Sequence, residues 1–245
     1  MEFETVKHKL GSWAEKFRPF IESQEFDKIF EHLISLKNRS KVICPISAQT
    51  FRAFAETPYE NLKAIFVFSG PYAHRYKDNF VADGIALSCA NSSKNTRALE
   101  KFYRGMEQDL SGGLNLDMLD APDLGYLCRQ GVLLLNAALT SELDKPGSHH
   151  ELWRPFMDFF FTEIINAYQQ TLPIVFFGRH AATYRRILMP FNAWIFETVD
   201  LMELEAEDKW EPAELFRKVN RIIAEAHPDT APITWYQEVK RETNG

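Results

Sequence analysis

Gln130-Gly131-Val132-Leu133-Leu134-Leu135-Asn136-Ala137-Ala138-Leu139-Thr140 is the stretch on which the fold turns. From Gly131 to Leu135 the chain is apolar without alternation, as in a strand buried on both faces, and such strands belong to parallel sheets covered by helices. Asn136 then marks a polar carboxyl end. Working outward, Ala64–Phe68, Pro173–Phe177 and Trp194–Val199 have the same character, and Val42–Ile46 reads as a further short strand. Helical patterns lie between them: Thr96–Leu110, Ser148–Gln170, a segment carrying Tyr184 and Ile187, and a helix with Pro212 in its first turn that runs to about Ala226. Ser47 is placed to cap a helix bearing Phe51, Phe54 and Ala55. The first forty residues predict two amphipathic helices, one with Val6, Leu10, Trp13 and Phe17, the other with Phe26, Ile29, Phe30, Leu33 and Ile34 on one face.

This alternation predicts an α/β fold, a three-layer α/β/α arrangement around a central, four-stranded, mainly parallel sheet. It reads as one domain over residues 1–245, with the helices of residues 1–40 packed on it. Ligands of such sheets sit beyond the carboxyl ends of the strands, and here those ends are Gly70, Asn136, Gly178 and Asp200.

Composition narrows the function. Of 245 residues 45% are hydrophobic and 20 are Phe, a globular balance. No apolar run is long enough to span a membrane, and the acidic start Met1-Glu2-Phe3-Glu4 lacks a signal-peptide core, so a cytoplasmic protein is expected. Three scattered cysteines, Cys44, Cys89 and Cys128, support neither a disulfide framework nor a metal site. His149 and His150 are adjacent, and neighbours on a helix diverge, so they are not read as metal ligands. A net charge of −6 argues against a general nucleic-acid coat but leaves room for a local basic patch.

The Gln130–Thr140 segment closely resembles the QGVLLLNAVLT stretch of family 1 uracil-DNA glycosylases. The likeness continues through Ser148-His149, Trp153, Phe177-Gly178 and Ile233-Thr234-Trp235, and upstream through Phe51 to Tyr72, covering roughly residues 42 to 240. It implies the glycosylase fold and its chemistry. A nucleotide is flipped into a pocket, a carboxylate handles water, and a neutral His stabilises the departing base. No cofactor is implied, DNA is the implied partner, and a monomer is expected.

The catalytic motifs depart from the family. G-Q-D-P-Y-H becomes Phe68-Ser69-Gly70-Pro71-Tyr72-Ala73, so Gly70 stands at the carboxylate position. Tyr72, which in the family crowds the C5 position of the base, is kept, and the longer loop after it would displace it. H-P-S-P-L-S becomes Asp200-Leu201-Met202-Glu203-Leu204-Glu205, so Asp200 replaces the catalytic His. Asp200 could be protonated by burial or serve as a general base. Asn136 is retained and would read the base edge, a uracil-like face without excluding cytosine; the alternative is an Asn closing a strand. Leu87 replaces the stacking Phe. Asp83 replaces a His and is either a relocated carboxylate or a turn residue before Gly84. Leu204 falls at the family's DNA wedge, flanked by Glu203, Glu205, Glu207 and Asp208, which oppose phosphates or form a solvated acidic loop. Arg179, beside Gly178, and Ser92, Ser93 and Lys94 are candidate DNA contacts, with Lys209, Lys218, Arg185 and Arg186 as a basic rim or plain surface charges.

Three functions follow. The first is a DNA glycosylase for a bulky modified pyrimidine, such as the glucosylated hydroxymethyl bases of phage DNA, in keeping with a bacterial anti-phage enzyme. The second is a divergent uracil-DNA glycosylase using Asp83, Asp200 or His74. The third is an inactive DNA- or protein-binding module.

Overall fold

The computed structural model describes residues 3–92, 94–112, 116, 118–168, 171–189 and 193–238. The chain opens with helices α1 (Phe3–Leu10), α2 (Ala14–Ile21) and α3 (Gln24–Asn38). Strand β1 (Ile43–Cys44) and helix α4 (Arg52–Glu56) lead into β2 (Ala64–Phe68), which is followed by a small hairpin of β3 (Arg75–Tyr76) and β4 (Asn79–Phe80). Helix α5 (Arg97–Ser111), β5 (Met118–Leu119), α6 (Gly125–Cys128) and β6 (Val132–Asn136) come next, then β7 (Ser141–Glu142) and α7 (His150–Phe159). The chain closes with β8 (Leu172–Phe177), α8 (Gly178–Ala182), β9 (Ala193–Thr198), α9 (Leu215–Ala226) and β10 (Gln237–Glu238).

The central sheet has the order β6-β2-β8-β9, with every pairing parallel. Phe68 pairs with Asn136 and Phe177 with Thr198, so the four carboxyl ends finish on one side. Every residue of β2, β6 and β8 is buried, which is why these runs are apolar throughout rather than alternating. At the edge strand β9 the rule relaxes, and Trp194 is exposed. The expected strands at 64–68, 131–135, 173–177 and 194–199 all form within about a residue. Among the described residues, no helix is long and apolar enough to cross a membrane.

The abundance of Phe has a structural use. Trp13 is fully buried, donates its indole N–H to the Thr57 carbonyl (2.6 Å) and meets Phe54 edge-on. Phe17 stacks on Phe156 with centroids 4.6 Å apart, so an aromatic wall bonds α2 to α7. In α3, Phe26, Ile29, Leu33 and Leu36 are buried, whereas Ile34 is 52% exposed and lies off the face expected of it.

Other departures concern element ends. Ser47 caps nothing; α4 begins at Arg52, without a side-chain cap. The expected helix from Ser148 splits into α7 and a π-helical stretch, Phe160–Ile165, with Gln169 and Gln170 outside the described residues. Pro212 precedes α9 rather than starting it, because Ala213 and Glu214 take left-handed backbone angles. The cap comes from far away: Asp109 on α5 accepts the Phe216 backbone N–H through Oδ2 (2.7 Å). Asp109→Ala should therefore lower stability by about 1–2 kcal/mol in chemical denaturation, as loss of a helix cap does.

Candidate active site

Beyond the carboxyl ends of the sheet lies a cleft of about 1000 Å³. Its walls come from the loop after β2, the start of α5 with the turn before it, the segment before α7, and the loop after β9. Gly70, Tyr72, Ser92, Asp200 and Leu204 are brought together on these walls. Asn136, Leu87, Asp83, Gly178 and Arg179 are not among the residues lining it.

Asp200 is the carboxylate of the cleft. Only 5% of it is exposed, and both oxygens accept hydrogen bonds: Oδ2 from the Ser69 hydroxyl (2.5 Å) and Oδ1 from the Met202 backbone N–H (2.9 Å). The residue that follows the neighbouring strand β8 must be glycine. Gly178 has φ +85°, and a Cβ there would stand 2.7 Å from the Asp200 Cβ. Gly70 is under no such demand, since a Cβ there would meet His150 Nε2 at 3.5 Å and Ala138 Cβ at 4.0 Å, ordinary contacts.

His150 enters the site from α7. Its Nε2 lies 3.0 Å from the Ser69 carbonyl, and its ring stacks on His180 of α8 with centroids 3.4 Å apart. Burial first, and the neighbouring His180 second, push its pKa below the usual imidazole value; burial lowers that of His180 too. His149 points the other way, into the core, where its Nδ1 sits 2.8 Å from Thr140 Oγ1 and burial pushes its pKa down to about 4. The adjacent histidines thus diverge. Among the described residues, no group of three or more His, Cys, Asp or Glu is arranged to hold a metal ion.

Asn136 closes β6. It is 6% exposed, and its buried Oδ1 finds no hydrogen-bond partner among the described residues, an unusual cost for a native core. Tyr72 keeps its place on the wall, because β3 and β4 take up the extra length of the following loop. Its hydroxyl donates to the Leu87 carbonyl (3.0 Å) and lies 2.6 Å from Thr96 Oγ1. Burial pushes this phenol well up. Leu87 itself is buried with φ +61°, a backbone region that apolar side chains seldom adopt.

Asp83 is not a free carboxylate near the cleft. It is fully buried, pairs with Arg52 (2.9 Å), and accepts from the Ser88 hydroxyl (2.6 Å) and from the backbone N–H groups of Ile85 (3.0 Å) and Ala90 (2.8 Å). Arg52 also holds Glu56 (2.6 Å) and Asp123 (2.8 Å). Burial opposes the charge of Arg52, but these three carboxylates outweigh it and raise its pKa. Of the two expectations, the turn residue fits this geometry and the relocated catalytic carboxylate does not.

Leu204 sits half-buried at the rim of the cleft, in a loop that is tethered rather than loose. The ammonium of Lys101, 5% exposed, donates to the carbonyls of Glu205 (2.6 Å), Ala206 (3.5 Å) and Asp208. Asp208 Oδ2 in turn accepts the Glu205 backbone N–H (2.9 Å). Ser92 spends its hydroxyl on its own turn, bonding the Lys94 carbonyl (2.8 Å). Ser93 lies outside the described residues. Arg179 is exposed on α8. Sequence reading missed His150, His180, Ser69 and Lys101 as site residues; each is joined to its partners only by folding, so no local motif could reveal them.

No family model matches the chain. Curated relatives do. A protein named uracil-DNA glycosylase from Pseudomonas paraeruginosa is 28% identical over 229 residues, spanning 92% of this chain and 93% of that one. One of the same name from Campylobacter lari is 28% identical over 225 residues, spanning 91% and 93%. Among solved structures, mimivirus uracil-DNA glycosylase superposes with a TM-score of 0.82 at 16% identity, covering 96% of this chain and 89% of that one. The UNG structure from Nitratifractor salsuginis gives a TM-score of 0.58 at 16% identity. Over nearly its full length the chain is thus similar in sequence to proteins named uracil-DNA glycosylase, and it shares the fold of solved uracil-DNA glycosylase structures.

Proposed function

We propose that the protein is a DNA glycosylase that hydrolyses the N-glycosidic bond of a bulky modified pyrimidine and leaves an abasic site. The observation that carries this reading is Gly70. The backbone and the nearest atoms would accept a Cβ there, yet the carboxylate on which the family relies is absent, and the cleft that Gly70 lines holds about 1000 Å³. That volume is at the top of the usual range of about 300–1,000 Å³ for ligand pockets, more than an unmodified pyrimidine fills. Relatives named uracil-DNA glycosylase support base excision as the reaction class.

In this reading a nucleotide is flipped into the cleft. Asn136 lies outside the cleft lining, and its unpaired, buried Oδ1 accepts from the edge of a base that reaches past that lining, which relieves its buried isolation. The carboxylate of Asp200, held by Ser69 and the Met202 N–H, faces the positive charge that develops on the sugar as the bond breaks. Leu204 fills the gap left in the base stack. The exposed cations Lys94 and Arg97 on the cleft wall meet phosphates, which the acidic loop at 203–208 does not. The enzyme needs no cofactor and acts as a cytoplasmic monomer, and its role is excision of modified bases of the phage type, including glucosylated hydroxymethyl pyrimidines. One observation favours the second reading, a divergent uracil-DNA glycosylase: Tyr72 remains on the wall, where in the family it crowds C5.

An abasic-site assay distinguishes them. DNAs carrying uracil, hydroxymethyluracil, hydroxymethylcytosine or glucosylated hydroxymethylcytosine are incubated with the protein and cleaved by alkali. Strand breaks confined to the bulky modified DNA are expected; breaks in uracil DNA establish the second reading, and none on any DNA points to a binding module. On the DNA that is cleaved, Asp200→Asn should lower kcat by about 10²–10³-fold, the usual loss when one preorganised electrostatic group is removed. Asn136→Ala should reduce kcat/KM about 100-fold, and retention of wild-type excision would remove it from the site. Leu204→Ala should weaken cleavage of duplex more than of single-stranded substrate.

A further inference from the structure

The reading above leaves open what takes the proton from the attacking water once Gly70 has removed the usual carboxylate. We infer that His150 is a catalytic residue, the general base that accepts this proton at Nδ1. The inference rests on the glycosylase reading and assigns a role within the same cleft.

The geometry begins at the gap. A Cβ built on Gly70 would lie 3.5 Å from His150 Nε2, so the imidazole stands beside position 70. Nε2 faces the Ser69 carbonyl at 3.0 Å. A carbonyl only accepts, so Nε2 carries the proton and the lone pair of the neutral ring is on Nδ1. Gly147 packs beside that edge of the ring, and only glycine leaves it room. A Cβ on Gly147 would stand 2.8 Å from His150 Cε1 and 3.2 Å from Nδ1. Gly147 and His150 both line the cleft.

The ring is also fixed in orientation and charge. Ser69 holds His150 through its carbonyl and Asp200 through its hydroxyl, so one residue sets base and carboxylate relative to each other. His180 stacks on the other side. The titratable groups acting on His150 are His180 on α8, Glu151 on its own helix, and Asp200 after β9. Burial and His180 lower its pKa, against the hydrogen bond to the Ser69 carbonyl and the charges of Glu151 and Asp200, which keeps it neutral near pH 7 and able to accept a proton. In the reaction the C1′–N bond breaks with its electron pair leaving on the base, and water oxygen bonds to C1′. The water proton passes to Nδ1. The departed base takes a proton from solvent, and the imidazolium returns its proton to solvent, so one water is consumed.

Two measurements test this. The first needs no substrate: nitrogen NMR of histidine-labelled protein, with the His150 signals assigned by their loss in H150Q. The expected result is the Nε2–H tautomer with a titration midpoint below 6.5; the opposite tautomer, or a ring still charged at pH 7, overturns the inference. The second uses the DNA that wild type cleaves. H150Q should lose about 10²–10⁴-fold in kcat, the range for a general base, with KM little changed, and H150A should be partly rescued by added imidazole. The wild-type rate should fall on the acid side as pH drops through the depressed His150 pKa, and H180A should move that limb to higher pH, because the repelling, burying neighbour is gone. If H150Q and H150A keep activity within threefold of wild type, His150 is not the base although the glycosylase reading stands. If wild type cleaves none of the DNAs, the glycosylase reading fails and the inference falls with it.

Discussion

The hydrogen bond from Ser69 to Asp200 joins two strands that do not touch. Ser69 follows β2 and Asp200 follows β9, while β8 lies between them in the sheet. Two short side chains can meet at 2.5 Å over an intervening strand only if that strand ends without a side chain in the way. Gly178 meets the condition, and any Cβ at that position would press into Asp200. The same glycine opens α8, which two residues later presents His180 to His150, and His150 returns to Ser69 through its carbonyl. The cleft is thus a closed ring of contacts around one missing methyl group.

Charge is distributed with the same economy. The chain carries a net −6, and the loop at 203–208 is acidic, yet that loop is organised by a cation. Lys101 is buried and spends its three N–H donors on backbone carbonyls of the loop rather than on a carboxylate. Burying an ammonium is costly unless its donors are all used, and here the loop's carbonyls take them. Arg52 plays the corresponding part under the cleft, gathering Glu56, Asp83 and Asp123 and so removing Asp83 from chemistry. The positive charge left on the cleft wall is that of exposed Lys94 and Arg97.

Much of the sheet was legible in the sequence, because burial on both faces leaves a composition that no surface strand has. The runs at 64–68 and 132–136 needed only their neighbours to be read. Element ends were less legible. Ser47 and Pro212 are good local signals, but α9 receives its cap from Asp109, more than a hundred residues away, and α4 receives no side-chain cap. Ile34 followed the helical spacing of its neighbours, yet α3 buries a narrower stripe than the pattern allowed. For the site, the spacing placed Gly70, Asn136, Gly178 and Asp200 at strand ends, and they stand there.

By itself, then, the sequence determined the parallel sheet, the carboxyl ends that border the cleft, and the replacements at positions 70 and 200, because these are properties of runs and of matched segments. Tertiary structure alone decided which polar groups are available. Asp83 and Asp200 look alike in sequence; one is consumed by Arg52, Ser88 and two backbone N–H groups, and the other borders the cleft. His149 and His150 are neighbours in the chain; one turns to Thr140 in the core, the other to Ser69. The physical reason is the same in both cases: a side chain's chemistry depends on the partners that burial supplies, and those partners come from distant segments whose meeting only the packed sheet and helices bring about.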